Sequence, residues 1–112
     1  MLNNNEYHPF VVWLDNPEES TINLFDDEMF HYVSIFGKVG RDGGGYDWTA
    51  VARTLDRMIP GFEDGALGFN PEAGMLSVYG RKDRIEVLAA KLQWLITNHQ
   101  ELEKIIKQSE LD

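Results

Sequence analysis

Trp48, Val51, Ala52, Leu55, Met58 and Ile59 recur at i, i+3, i+4, i+7, i+10 and i+11, the single apolar stripe of an amphipathic helix. Arg53, Asp56 and Arg57 lie on its other face. The stripe follows the loop Lys38 to Gly45 and stops at Pro60-Gly61. Asp47 is the predicted N-cap, and its carboxylate also suits the positive end of the helix dipole. Trp48 is predicted to enter the core, with Tyr46 packed across the helix start.

Strand-like segments flank this helix in pairs. Phe10-Val11-Val12-Trp13-Leu14 is a short apolar run that reads as a strand buried on both faces. Asn16-Pro17 supplies turn chemistry, and Thr21 to Phe25 alternates with Ile22 and Leu24 on one face. Ala66 to Phe69 and Met75 to Tyr79 form a second candidate hairpin. Leu67, Phe69, Leu76 and Val78 give its apolar face. In the turn between them Pro71 presets φ and Gly74 can take a positive φ. Residues 28–37 fit either period. Their composition is strand-like, but Met29, Val33 and Phe36 share a helical spacing, and a short helix is the preferred reading.

Asp83 and Glu86 have capping-box spacing ahead of a last stripe, Ile85, Leu88, Ala89, Leu92, Leu95 and Ile96. Asn98 either ends this helix and starts another carrying Leu102, Ile105 and Ile106, or the helix runs through to the C-terminus. The predicted class is α+β: an antiparallel sheet of about four strands made of two β-hairpins, with helices on one face and the order β-β-(α)-α-β-β-α. Its length of 112 residues fits one domain, 1–112, with a core over 8–97 and a C-terminal helical extension over 98–112.

Charge is uneven along the chain. Residues 1–37 hold seven acids and no base, so they carry −7 of the net −9. A field of that sign repels nucleic acid and anionic lipid and steers a basic partner. There is no cysteine, so disulfide and thiolate chemistry are absent and a reducing compartment is suited. The N-terminus has no basic region followed by an apolar one, and the longest apolar run is far too short to span a bilayer; a cytoplasmic protein is expected.

Gly45-Tyr46-Asp47-Trp48-Thr49-Ala50-Val51-Ala52, followed at the right separation by Phe69-Asn70-Pro71-Glu72-Ala73-Gly74-Met75, resembles the immunity protein 51 family of bacterial polymorphic toxin systems. The resemblance covers most of residues 10–97. Asn70 stands where the family pattern has Asp, a change that keeps turn propensity. Such a resemblance implies a small cytoplasmic protein that binds a cognate toxin domain stoichiometrically and blocks it, with no cofactor and no catalytic residue.

Nothing else in the chain favours catalysis. His8, His31 and His99 are far apart, without carboxylate or cysteine at ligand spacing, so no metal site is expected. The serines lie in no Gly-x-Ser-x-Gly context, and the glycine loop fits neither a P-loop nor a dinucleotide fingerprint. Candidate toxin-contact residues are Asp15, Glu18, Glu19, Asp26, Asp27 and Glu28, expected around one hairpin end, with Asp42, Glu63, Asp64 and Tyr46 as further candidates. Gly45, Tyr46, Asp47, Trp48, Phe69, Asn70, Pro71, Glu72, Gly74 and Met75 are read first as structural. The partner is expected to be a toxin domain with a basic surface, such as a nuclease, and neither nucleic acid nor membrane. The alternative is a small-molecule-binding module or weak hydrolase, whose pocket would be lined by Trp13, Tyr32, Tyr46 or Tyr79.

Overall fold

The computed structural model describes residues 7–61 and 63–109. Chain order is β1 (Val11–Trp13), β2 (Ser20–Phe25), α1 (Asp26–Met29), a 3₁₀ turn (Phe30–Tyr32), α2 (Val33–Gly37), α3 (Gly45–Met58), β3 (Leu67–Phe69), β4 (Met75–Gly80), α4 (Lys82–Thr97) and α5 (His99–Gln108). The four strands form one antiparallel sheet in the order β1-β2-β4-β3. Both hairpins are therefore present, joined through β2 and β4. The architecture is the expected α+β one.

Register assigns the two faces. Val12, Ile22, Val78 and Phe69 are cross-strand partners in one row, and Leu24 pairs with Leu76 in the next. These residues face the helices. Ile22, Leu24, Leu76, Val78 and Val12 are fully buried, and α3, α4 and α5 bring Trp48, Leu55, Leu88, Leu92, Leu102 and Ile106 into the same cluster. Burying one such side chain contributes about 1.5–3 kcal/mol, so this face holds most of the fold's driving force.

Several local expectations need correction. Phe10 to Leu14 is not buried on both faces. β1 is an edge strand in which only Val12 points inward, and Val11 and Trp13 are half-exposed. Residues 26–37 are helical, as preferred for 28–37, but kinked at Tyr32 (φ −118°, ψ 3°), so Met29, Ile35 and Phe36 are buried while Val33 is exposed. Met58, the stripe's fifth member, is exposed at the end of α3.

Helix α3 starts two residues before the predicted cap. Gly44 is at the cap position and Asp47 sits inside the first turn. The Asp47 carboxylate instead reaches back and accepts the Gly43 N–H, one residue before the cap, at 2.8 Å. Asp83 is likewise not a cap. Helix α4 begins at Lys82 after Arg81, and Asp83 pairs with the Arg81 guanidinium at 3.2 Å, which holds its carboxyl below the usual carboxylate range. Gly74 does not adopt a positive φ; Gly40, Gly43, Gly61 and Gly65 do. The final helical region breaks at Asn98, whose side-chain amide donates to the Trp94 carbonyl at 2.8 Å.

Candidate functional site

The two sequence motifs meet in space. Gly45 N–H donates to the Ala73 carbonyl at 2.8 Å, and a Cβ on Gly45 would overlap the Glu72 carbonyl oxygen and stand 2.7 Å from that of Met75. Only a residue without a side chain lets the start of α3 lie directly on the 70–74 turn. Beneath this junction Trp48 is fully buried and packs edge-on against Phe36 (5.2 Å between centroids), Tyr32 (5.8 Å) and Phe10 (5.9 Å). Its indole N–H has no hydrogen-bond partner among the described residues. Arg41 closes the junction on the other side, pairing with Asp47 at 3.3 Å and donating to the Ser109 carbonyl, at the end of α5, at 2.6 Å. The backbone carbonyls left open at a helix C-terminus are thereby given a cationic partner.

Tyr46, the motif's only outward member at the helix start, is exposed rather than packed across it. Asn70, Pro71, Glu72, Ala73 and Gly74 are all exposed, Met75 and Phe69 half-buried. Phe69 carries the Arg53 guanidinium over its ring at 5.4 Å from the centroid.

The acidic candidates do not gather at one hairpin end. Asp15, Glu18 and Glu19 lie in the β1–β2 turn, where Asn16 Oδ1 accepts the Glu18 N–H and the Pro17 carbonyl accepts the Lys82 N–H. Asp26, Asp27 and Glu28 form the first turn after β2. The six residues of β2 separate the two groups by about 17 Å. Gly74 lies close to Asp26 Oδ2, so the second group sits beside the motif junction. Asp42 is exposed in the loop entering α3. Asp64 shares a small recess of about 140 Å³ with Arg53 and Arg57, and Glu63 is its exposed neighbour. Glu6, the remaining early acid, lies outside the described residues.

Among the described residues no helix covers the sheet's second face. Register places Trp13, Thr21, Tyr79 and Gly68 in one row across it, Val11, Asn23 and Ser77 in the next, and Phe25 with Met75 in the last. Tyr79 and Phe25 are each 43% exposed. A Cβ on Gly68 would overlap the Tyr79 ring, so the ring lies across the glycine. The four aromatics expected to line a pocket do not converge. Trp13 and Tyr79 are on this open face, Tyr32 is half-buried against Trp48, and Tyr46 is at the start of α3.

A groove of about 860 Å³ runs instead between α3, α4 and α5, lined by Met58, Ile59, Val87, Ala90, Trp94 and Ile105 among others. Met58 is 59% exposed and Trp94 50%. Its sequence signal is that Val87, Ala90 and Trp94 fall at i, i+3, i+7 as a second apolar stripe on α4. Glu86, Glu101, Lys91 and Lys104 also line it, two of each sign. Among the described residues no group of three His, Cys, Asp or Glu side chains could hold a metal ion, and no helix is long and apolar enough to cross a membrane.

The described residues form an α+β fold with an open sheet face, an apolar groove and unevenly placed carboxylates. The immunity protein 51 family model matches residues 10–111, and the chain belongs to that family. The match extends beyond the 10–97 span of the motif resemblance and takes in α5. Membership carries an immunity function in general, with a toxin as partner, and points to a protein that is not an enzyme. No curated protein and no solved structure matches the chain.

Proposed function

We propose that this chain neutralises a cognate toxin domain of a bacterial polymorphic toxin system by one-to-one binding in the cytoplasm. Binding occludes the toxin's active site or a surface beside it. The observation that carries the electrostatic part of this reading is the charge of residues 1–37, seven acids with no base. Six of them are described: Asp15, Glu18 and Glu19 in the β1–β2 turn, and Asp26, Asp27 and Glu28 in the first turn after β2. A surface of this sign complements a basic partner, and rim charges of this type raise association rate and specificity more than affinity. A toxin that acts on nucleic acid presents such a basic surface, and that class is the one the charge favours.

The experiment is titration calorimetry against the toxin domain encoded beside this chain, inactivated by mutation, with growth rescue on co-expression of the active pair. A one-to-one complex at nanomolar affinity with rescue is expected. Absence of both refutes the reading. Association measured from 50 to 500 mM salt should slow markedly, because screening lengths shrink from about 14 Å to about 4 Å over that range. A salt-independent rate would remove the basic-partner element while leaving immunity intact.

A second reading, binding of a small apolar molecule, has one observation in its favour: the groove between α3, α4 and α5 has the volume of a ligand pocket. A thermal-shift screen separates the two. Stabilisation by a metabolite supports the second, and stabilisation by the toxin alone supports the first.

A further inference from the structure

We propose that the toxin docks on the open face of the sheet, with Tyr79 and Phe25 as its apolar anchors and the carboxylates at both ends of β2 as its charged rim. The assignment rests on the immunity reading above and adds to it the face that does the binding.

Three observations lead there. First, among the described residues no helix covers the face, although it is not a polar surface. Its rows carry Trp13, Tyr79, Phe25, Met75 and Val11, interleaved with Thr21, Asn23 and Ser77. Tyrosine and tryptophan give large, rigid contact area at low entropic cost, while Ser, Thr and Asn supply adaptable hydrogen bonds, the mixture found where surfaces recognise proteins. Second, the rim is acidic on balance: at the Ser20 end Asp15, Glu18, Glu19 and Asp83 outnumber Arg81 and Lys82, which follow Gly80 on the neighbouring strand, and Arg81 is paired with Asp83. Asp15, Glu18 and Glu19 stand at the Ser20 end of β2, and Asp26, Asp27 and Glu28 follow Phe25 at the other. A partner with an apolar centre and basic margins matches both ends at once. Third, the competing surface lacks this complementarity. The groove's two acids and two bases balance, so it offers a basic partner no net attraction. The negative charge of the chain is expressed around the sheet and not around the groove.

The test uses the full chain and the inactivated toxin domain encoded beside it. Phe25→Ala lies at the exposed end of β2, and Tyr79→Ala removes the ring over Gly68. The two together should raise Kd at least ~30-fold, mainly through faster dissociation. Changing Glu18, Glu19, Asp26 and Asp27 to their amides touches only exposed side chains and should slow association ~10-fold, with a flatter salt dependence. Trp94→Ala in the groove should leave Kd within ~3-fold. Thermal melts of each variant separate lost folding from lost contact, and the amide variant keeps the proposal testable if Tyr79→Ala unfolds. If wild-type protein binds and the sheet variants bind as well as it does, or only Trp94→Ala weakens binding, the face assignment is wrong and immunity stands. If wild-type protein does not bind, the immunity reading itself has failed, and this assignment falls with it.

Discussion

Gly45→Ala should destabilise this protein by about 3 kcal/mol, against the usual direction of that substitution in a helix. Gly45 has helical backbone geometry and no positive φ. By propensity alone, alanine there gains up to about 1 kcal/mol. Space decides otherwise. The new Cβ would overlap the Glu72 carbonyl oxygen and lie 2.7 Å from the Met75 oxygen, against an ordinary contact of 3.4 Å or more. Both obstacles are backbone atoms in a turn paired to β4, so no flexible side-chain end can swing away. Overpacking of this kind costs up to about 3 kcal/mol. Parting the two segments also lengthens the 2.8 Å bond from Gly45 N–H to the Ala73 carbonyl, which is worth about 1 kcal/mol. Subtracting the propensity gain leaves a net loss of about 3 kcal/mol. For a chain of this length that is a fall of about 12 °C in Tm.

Two companion variants calibrate the result. Gly44→Ala brings its Cβ to 3.1 Å from the Ala73 oxygen and should cost less. Gly37→Ala meets nothing within 4 Å and should be neutral or mildly stabilising. Circular-dichroism melts and urea titrations of the three give the ranking directly. A Gly45→Ala protein that melts within 2 °C of wild type, or above it, would refute the claim that the α3 start and the 70–74 turn share this close contact.

Arg84 and Asp56 form a buried pair at 2.6 Å, with the Pro60 carbonyl as a further acceptor. Arg84→Met should cost about 3–5 kcal/mol in urea unfolding by stranding the carboxylate, and the double variant with Asp56→Leu should recover most of it. Tyr32 has its hydroxyl pKa raised above the ordinary 10.0, by desolvation first and by the nearby Glu28 carboxylate second. The folded protein therefore keeps a proton that the unfolded chain loses above pH 10, so stability falls as pH rises past 10. The urea midpoint of Tyr32→Phe should decline less steeply between pH 9 and 11 than that of wild type, and equal slopes would refute the shift.

Helical stripes and alternating strands were legible because burial acts on every third or fourth residue of a helix and every second residue of a strand. The stripes from Trp48 to Leu55 and from Ile85 to Ile96 are buried as read. The starts of α3 and α4 were not legible. An Asp near the first turn fits both a cap and a reach-back, and what placed α3 at Gly45 was a carbonyl some thirty residues downstream, invisible to any local window. The spread of the acids failed for a similar reason: Glu19 and Asp26 are close in sequence, but an extended strand separates them. The open sheet face was half legible, since Trp13 and Tyr79 alternate with buried neighbours, whereas the groove required knowing that α3, α4 and α5 splay around Trp94.

Part of the motif that reveals the family is buried inside the fold. Gly45, Asp47 and Trp48 are buried in the junction of helix, turn and core, and each is explained by what it touches inside the protein. Tyr46 and the turn 70–74 are the exceptions: Tyr46 is exposed at the start of α3, and the turn, which Asp26 approaches, is exposed as well. This division has a physical basis. A junction in which a glycine meets two backbone oxygens tolerates almost no change, whereas side chains on an uncovered sheet face can be exchanged at little cost in stability. A scaffold held by the first and read through the second can keep its fold while its binding surface is altered. Swapping Phe25, Asp26, Asp27 and Tyr79 should therefore move recognition and leave the melting temperature nearly in place, while any change at Gly45 should do the opposite.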